Sequence, residues 1–287
     1  MRNFDEKTIT AAVLERISTT QDPRFKQICN SLVRHLHDFV RDVRLTEAEW
    51  GVAIDFLTRT GKTCDGNRQE FVLLSDTLGV SMLVDAINHG GGHGTQSTVL
   101  GPFYVEGPPE YPLGADVHGG MAGEPLHASG TVSSVDGQPI SGAIVDVWHS
   151  DSDGYYDVQN LDAVGGLAGR ARFRSGPNGE WHFWSIKPAA YPIPYDGPVG
   201  QMLTAQGRHP WRPAHVHFMI EAPGFKKLTT HVFVEGDQYL DSDAVFGVKD
   251  TLIVPFIRHD AGAAPDGKKM EKPFYTMRYD FRLEPVG

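Results

Sequence analysis

The run Arg212-Pro213-Ala214-His215-Val216-His217-Phe218-Met219-Ile220-Glu221 sets two histidines one residue apart in an otherwise apolar stretch. On an extended chain alternate side chains share a face, so both imidazoles point one way with Cα atoms roughly 6.5–7 Å apart. That span suits the grip of a single metal ion, and companions elsewhere must complete the site. One candidate set adds Glu221, which shares strand parity with both histidines, and His231. A second adds tyrosines from two turn-rich loops, DSDGYYDVQ at 151–159 and AAYPIPYDGPVG at 189–200, where aromatic side chains need a reason to be.

The first set has the His-x-His-x3-Glu spacing of a cupin, but the flanking glycines of that motif are replaced by His209 and Leu228, and Glu221 equally well ends a strand in water. Other apparent motifs fall away. On a helix His35 and His37 diverge by about 200° and cannot share an ion, so both are expected on the solvated surface. His89-Gly90-Gly91-Gly92 superficially matches an esterase oxyanion loop, yet the chain has no G-x-S-x-G nucleophile elbow. No phosphate-cradling or dinucleotide fingerprint is present. Two cysteines, Cys29 and Cys64, are too few for a disulfide framework or a four-thiolate zinc site and are expected to be reduced thiols. A formal charge of −10 argues against nucleic-acid or anionic-membrane partners and favours a small organic one. The N-terminus MRNFDEKTIT lacks an apolar signal core, and no apolar run reaches the length of about 18 residues that a membrane span needs. A cytoplasmic protein is expected.

The elements that must position these residues divide by period. Phe25, Ile28, Leu32, Leu36, Val40 and Val43 recur at intervals of three and four, an amphipathic helix. Thr46-Glu47-Ala48-Glu49 is a capping box opening a second helix with Trp50, Ile54 and Leu57 on one face. Helices are expected also over 67–77 and 79–88. Glycines and prolines then forbid a long regular element, so 91–125 reads as a connecting and covering segment. Beyond it the period becomes two: LHASGTVSS, AIVDVWHS, GRARFRS, EWHFWSI, PAHVHFMIE, LTTHVFVEG and MRYDFRLE are short β-rich runs, with turns at Asp136-Gly137 and Pro177-Asn178-Gly179. The expected class is α+β, a helical region over 1–90 followed by an antiparallel β-sandwich over 126–287.

The ordered set Gly154-Tyr155-Tyr156, Tyr191-Pro192-Ile193-Pro194 with Asp196-Gly197-Pro198-Val199-Gly200, and Arg212 to Phe218 resembles the intradiol ring-cleaving dioxygenases. The resemblance extends to GPFYVEGPP, DVWHSDSDG and LTTHVFVEGD and covers nearly the whole chain. YPIP, THVFVEGD and DSDAVFGVKDTL are most similar to the hydroxyquinol 1,2-dioxygenase branch of that family.

The resemblance implies a non-haem Fe(III) held by Tyr156, Tyr191, His215 and His217 with a solvent-derived hydroxide, a set in which two phenolates and one hydroxide balance the charge of a hard ferric ion. It selects Tyr156 over Tyr155 and leaves Glu221 as a strand-end carboxylate. It implies that Tyr191 leaves the metal and takes a substrate proton, that Arg212 stabilises negative charge developing on the ring, and that His231 acts where catechol-cleaving relatives carry glutamine. The implied substrate pocket comprises Met82, Asp85, Val99, Leu100, Gly101, Pro102, Phe103, Ile193, Pro194 and Val245, with Met82 in place of an expected leucine. Asp85 would accept a hydrogen bond from a third ring hydroxyl, favouring benzene-1,2,4-triol over catechol. The implied reaction opens the ring between its adjacent hydroxylated carbons with O2, giving 3-hydroxy-cis,cis-muconate, the enol form of maleylacetate. Rival readings are a catechol or chlorocatechol 1,2-dioxygenase, and a metal-free sandwich that binds aromatic compounds or a protein. The family further implies a homodimer through the N-terminal helices with a phospholipid between them.

Overall fold

Local sequence caps the two longest N-terminal helices. The computed structural model describes residues 2–65, 68–159 and 165–287, and its contacts divide the chain into a unit ending at Arg59 and a second from Thr60 to Gly287. In the first, α1 (Ile9–Arg16) packs on α2 (Pro23–Asp42). The Asp22 carboxylate caps α2 by accepting the backbone N–H of Arg24 and Phe25, with Pro23 at the first helical position, where its missing N–H costs nothing. Helix α3 (Glu47–Thr63) opens on the capping box: Glu49 N–H donates to the Thr46 hydroxyl and Thr46 N–H to the Glu49 carboxylate. His35 is exposed, whereas His37 is half-buried and hydrogen-bonded through Nδ1 to Thr10 on α1 at 2.9 Å. The stripe from Phe25 to Val43 stays 44–57% exposed in the single chain.

The second unit begins with α4 (Glu70–Thr77) and α5 (Val80–His89); residue 67, where the sequence expects the first of these to start, lies outside the described residues. The segment that follows runs over the sandwich, bridging Glu110 to Arg172 and Asp116 to Trp184. Then come β1 (Pro125–Ser134), β2 (Ile144–His149), β3 (Arg170–Arg174), β4 (Glu180–Ile186), β5 (Tyr191–Pro192), α6 (Pro198–Ala205), β6 (Trp211–Arg212), β7 (His215–Glu221), β8 (Leu228–Val234), β9 (Ile253–Val254), β10 (Ile257–His259), β11 (Gly262–Ala263), β12 (Lys269–Met270) and β13 (Phe274–Leu283).

One sheet has the order β10-β13-β1-β4 and the other β3-β2-β7-β8-β9. Most pairs are antiparallel, as the hairpin turns require. Two are parallel, β1 with β13 and β8 with β9, and in each the partners are joined by long connections that need no hairpin. Between the sheets lie Leu126, Val145, Phe173, Trp181, Phe183, Phe218 and Phe281. Because β7 alternates, Val216, Phe218 and Ile220 enter this core and His215 and His217 emerge on the opposite face. On β8 Leu228 and Val232 do the same, which delivers His231 opposite His217. Among the described residues no helix is long and apolar enough to cross a membrane.

Candidate metal centre and its pocket

Four strand positions and one loop converge on one point. The Nδ1–H of His215 donates to the Pro213 carbonyl at 2.7 Å, because a carbonyl can only accept. Burial holds this ring neutral, its pKa pushed down to about 3, with the Arg212 charge adding to the effect. The lone pair of a neutral ring protonated on Nδ1 is on Nε2, which lies 3.1 Å from His217 Nε2 and 3.5 Å from Tyr156 Oη. Tyr156 Oη is 3.0 Å from His217 Nε2, and it also interacts with the Tyr191 hydroxyl. The His217 ring stacks on Trp148 at 4.6 Å. His231, buried, offers an Nε2 without a partner among the described residues, while Thr98 Oγ1 holds its Nδ1 at 2.9 Å. Ligand atoms of His215, His217 and His231 all lie within 4.8 Å of one another. Glu221 does not join them; it pairs with Lys227 at 2.7 Å.

Tyr156 is buried and Tyr155, its neighbour, is 56% exposed. Gly154 explains how the loop comes close enough. It has φ +88°, and a Cβ there would sit 2.8 Å from the Cβ of Tyr191, so any other residue would drive the two tyrosines apart. Beyond Tyr156, the Asp157 carboxylate accepts from Arg170 Nε at 2.6 Å and also from its Nη2. Arg170 Nη1 donates to the Phe103 carbonyl at 3.0 Å, and the Phe103 ring stacks on Tyr156 at 4.4 Å. One buried guanidinium thus fixes both the tyrosine and its cover. Tyr191 on β5 pairs with Arg212 on β6.

A cavity of about 170 Å³ adjoins Tyr156 through Phe103 and is lined by Pro102, Pro194, Leu73 and Asp76 among others. A void of roughly 150 Å³ is known to hold benzene, so the size suits one six-membered ring. Ile193, Val199, Leu203 and Val245 pack with Leu73, and Val99 leans on them. A larger cavity, about 260 Å³, lies instead against Asp85, His89, Ser97 and Lys249, and neither the tyrosines nor the strand histidines line it.

The chain matches the family model described as Dioxygenase over residues 99–285 and that described as Catechol dioxygenase N terminus over 22–95. It is 53% identical over 287 residues to a 6-chlorohydroxyquinol 1,2-dioxygenase of Cupriavidus pinatubonensis, with 100% of each chain covered. It is 51% identical to a hydroxyquinol 1,2-dioxygenase of Nocardioides simplex, covering 98% of this chain and 96% of the other. This chain belongs to the intradiol ring-cleavage dioxygenases. The solved structure of a hydroxyquinol 1,2-dioxygenase from Pseudomonas putida DLL-E4 superposes with a TM-score of 0.90 at 49% identity, covering 98% of this chain and 99% of that one.

Intradiol dioxygenases are non-haem iron enzymes, and the residues of this dioxygenase fit such an ion. Neutral imidazole nitrogens and a phenol oxygen crowd one point, and buried His231 Nε2 is left without a partner. In the protein alone burial, with Tyr191 beside it, pushes the Tyr156 hydroxyl well above its ordinary value of 10.0. Arg212 and Arg170 oppose that rise, and a cation at the donor cluster would act in the same lowering direction.

The structure brings together Tyr156, Tyr191, His215, His217, His231 and Arg212; Pro102, Phe103 and Pro194 line the ring-sized cavity, and Val99, Ile193 and Val245 pack with Leu73, which lines it too. Gly101 packs against the His217 ring and Leu100 is exposed. Met82 and Asp85 are not brought there. Asp85 is engaged by Lys249 at 3.0 Å and His89 at 3.0 Å and faces the other cavity, and half-buried Met82 lies on the same helix. One helix earlier, Leu73 and Asp76 line the ring-sized cavity. The signal was present, since an acid three residues after a leucine on α4 shares its buried face.

Proposed function

We propose that this dioxygenase cleaves hydroxyquinol between its adjacent hydroxylated carbons with O2, and that both oxygen atoms end in 3-hydroxy-cis,cis-muconate. The observation that carries the proposal is the convergence of Tyr156, His215 and His217, with Phe103 stacked on Tyr156 and itself lining a cavity sized for one ring that a buried acid also walls. The names of the relatives support the same substrate. Tyr156, Tyr191, His215 and His217 would hold ferric iron. When bound, that ion supplies Lewis acidity that ionises the phenols and the diol and draws electron density from the ring, which activates it toward dioxygen.

The chain's own residues do the rest. Tyr191 accepts a diol proton at its phenolic oxygen when the substrate enters, keeping the charge of the site constant. Arg212, buried beside both tyrosines, lies where negative charge develops on the ring. His231 turns Nε2 toward the same space, with its orientation fixed by Thr98. Phe103, Pro194 and Val245 exclude water. Asp76 takes the task first expected of Asp85, accepting the hydrogen bond of the third hydroxyl. Hydroxyquinol should exceed catechol and chlorocatechol in kcat/KM by at least about tenfold, the value of one hydrogen bond to a charged acceptor. Equal or faster turnover of catechol by iron-replete protein would overturn the assignment.

Helices α2 and α3 form the proposed seat of a second copy, since the apolar residues along them are open in one chain and contiguous exposed apolar faces mark interaction surfaces. A phospholipid between the copies and a cytoplasmic location belong to the same reading. Sedimentation as a single chain would remove the dimer, and lipid extraction of the purified protein tests its occupant.

A further inference from the structure

Arg212 is buried, 1% exposed, and a guanidinium in such surroundings needs something to hold its charge and its direction. Its Nε donates to Asp243 Oδ1 at 3.0 Å and its Nη2 to Asp243 Oδ2 at 3.3 Å, a two-pronged pair between side chains that are both 2% exposed. The carboxylate is itself pinned. Oδ1 accepts the N–H of Val245 at 3.3 Å and Oδ2 that of Gly247 at 2.9 Å. Gly247 makes the approach possible, because a Cβ there would lie 3.0 Å from Arg212 Nη2 and 3.2 Å from Asp243 Oδ2. Val245, between those anchors, packs with Ile193 and Leu73, and Leu73 lines the ring-sized cavity.

Resting on the role proposed for Arg212, we propose that Asp243 is a positioning residue for the ring-cleavage reaction: its carboxylate aims the Arg212 guanidinium into the site and ties that aim to the Val245 wall. Both prongs of Asp243 occupy one edge of the fork, so Nη1 is not taken up by the carboxylate, on a guanidinium whose charge acts on Tyr191 and Tyr156. Asp243 also cancels the unit charge of Arg212 at long range, so that its effect is delivered by short, directed contacts. No contact of Asp243 with substrate is involved.

The test is a double-mutant cycle on iron-loaded protein with Asp243→Asn, Arg212→Met and the pair, read below all melting midpoints. Asp243→Asn should lower kcat about ten- to a hundredfold, the usual scale for removing a group that orients a catalytic one. Anaerobic substrate binding, followed through the tyrosinate-to-iron absorption, should change less than about threefold, and iron content should hold. In the Arg212→Met background the same substitution should cost less than about twofold. Gly247→Ala, which presses on the same guanidinium without removing a charge, should lower kcat in the same direction and serves if Asp243→Asn does not fold. Additive losses, or loss of iron on Asp243→Asn, would overturn the proposal. Unchanged kcat in Arg212→Met would instead sink the role of Arg212 itself.

Discussion

Tyr156→Phe is expected to lower ring-cleavage kcat by at least about a thousandfold and to strip the tyrosinate-to-iron colour that the proposed ligand set requires. The size follows from what the hydroxyl does. Tyr156 Oη stands 3.0 Å from His217 Nε2 and beside the Tyr191 hydroxyl, so its removal opens the centre of the donor cluster while Phe103 still stacks on the ring. Folding should survive, because the phenyl ring keeps that stack and Asp157–Arg170 still fixes the loop. Chelation of iron from the unaltered protein should also bleach it, since the charge transfer has no acceptor without the ion, and burial favours the neutral Tyr156 phenol once the ion is gone. Tyr155→Phe, at an exposed neighbour, should leave colour, iron content and rate unchanged. A coloured, active Tyr156→Phe protein would refute the ligand set.

The strand histidines were legible because a period of two leaves little choice: once Val216, Phe218 and Ile220 are read as core, His215 and His217 must share the other face. The capping box at Thr46 was equally local and formed as read. The choice between Asp76 and Asp85 was not local. Both are acids on short helices among apolar neighbours, and what separates them is Lys249, which reaches Asp85 from 164 residues away and turns it into half of an ion pair. The parallel pairing of β1 with β13 joins the two ends of the sandwich and leaves no trace in either strand's pattern. Asp243 was hidden for the same reason, as its meaning lies in Arg212 rather than in its own neighbours.

Asp76→Asn is expected to reduce the preference for hydroxyquinol over catechol while making the protein more stable. Asp76 is 5% exposed in the wall of the ring-sized cavity. Burial raises its pKa above 3.8, with Ser81 and Arg212 opposing the rise only in part. A carboxylate held against its tendency to take a proton is a strong acceptor, well matched to a ring hydroxyl that catechol lacks. Hydrogen bonds to charged groups contribute about 1.5–3 kcal/mol, so the ratio of kcat/KM values should fall by about ten- to a hundredfold. The stability change has a definite sign. With the folded pKa raised, the native state gives up its proton less readily than the unfolded chain, so ionisation destabilises the fold as pH rises through 3.8 and beyond. Asparagine removes that penalty, so its gain in melting temperature should be nearly absent below pH 3.8 and larger at neutral pH. The two effects share one cause: the unfavourable burial of Asp76 is what prepares it to recognise the third hydroxyl. Unchanged discrimination in a stabilised Asp76→Asn protein would remove Asp76 from substrate recognition, and a loss of stability at neutral pH would mean that the carboxylate is held by its partners rather than strained by its surroundings.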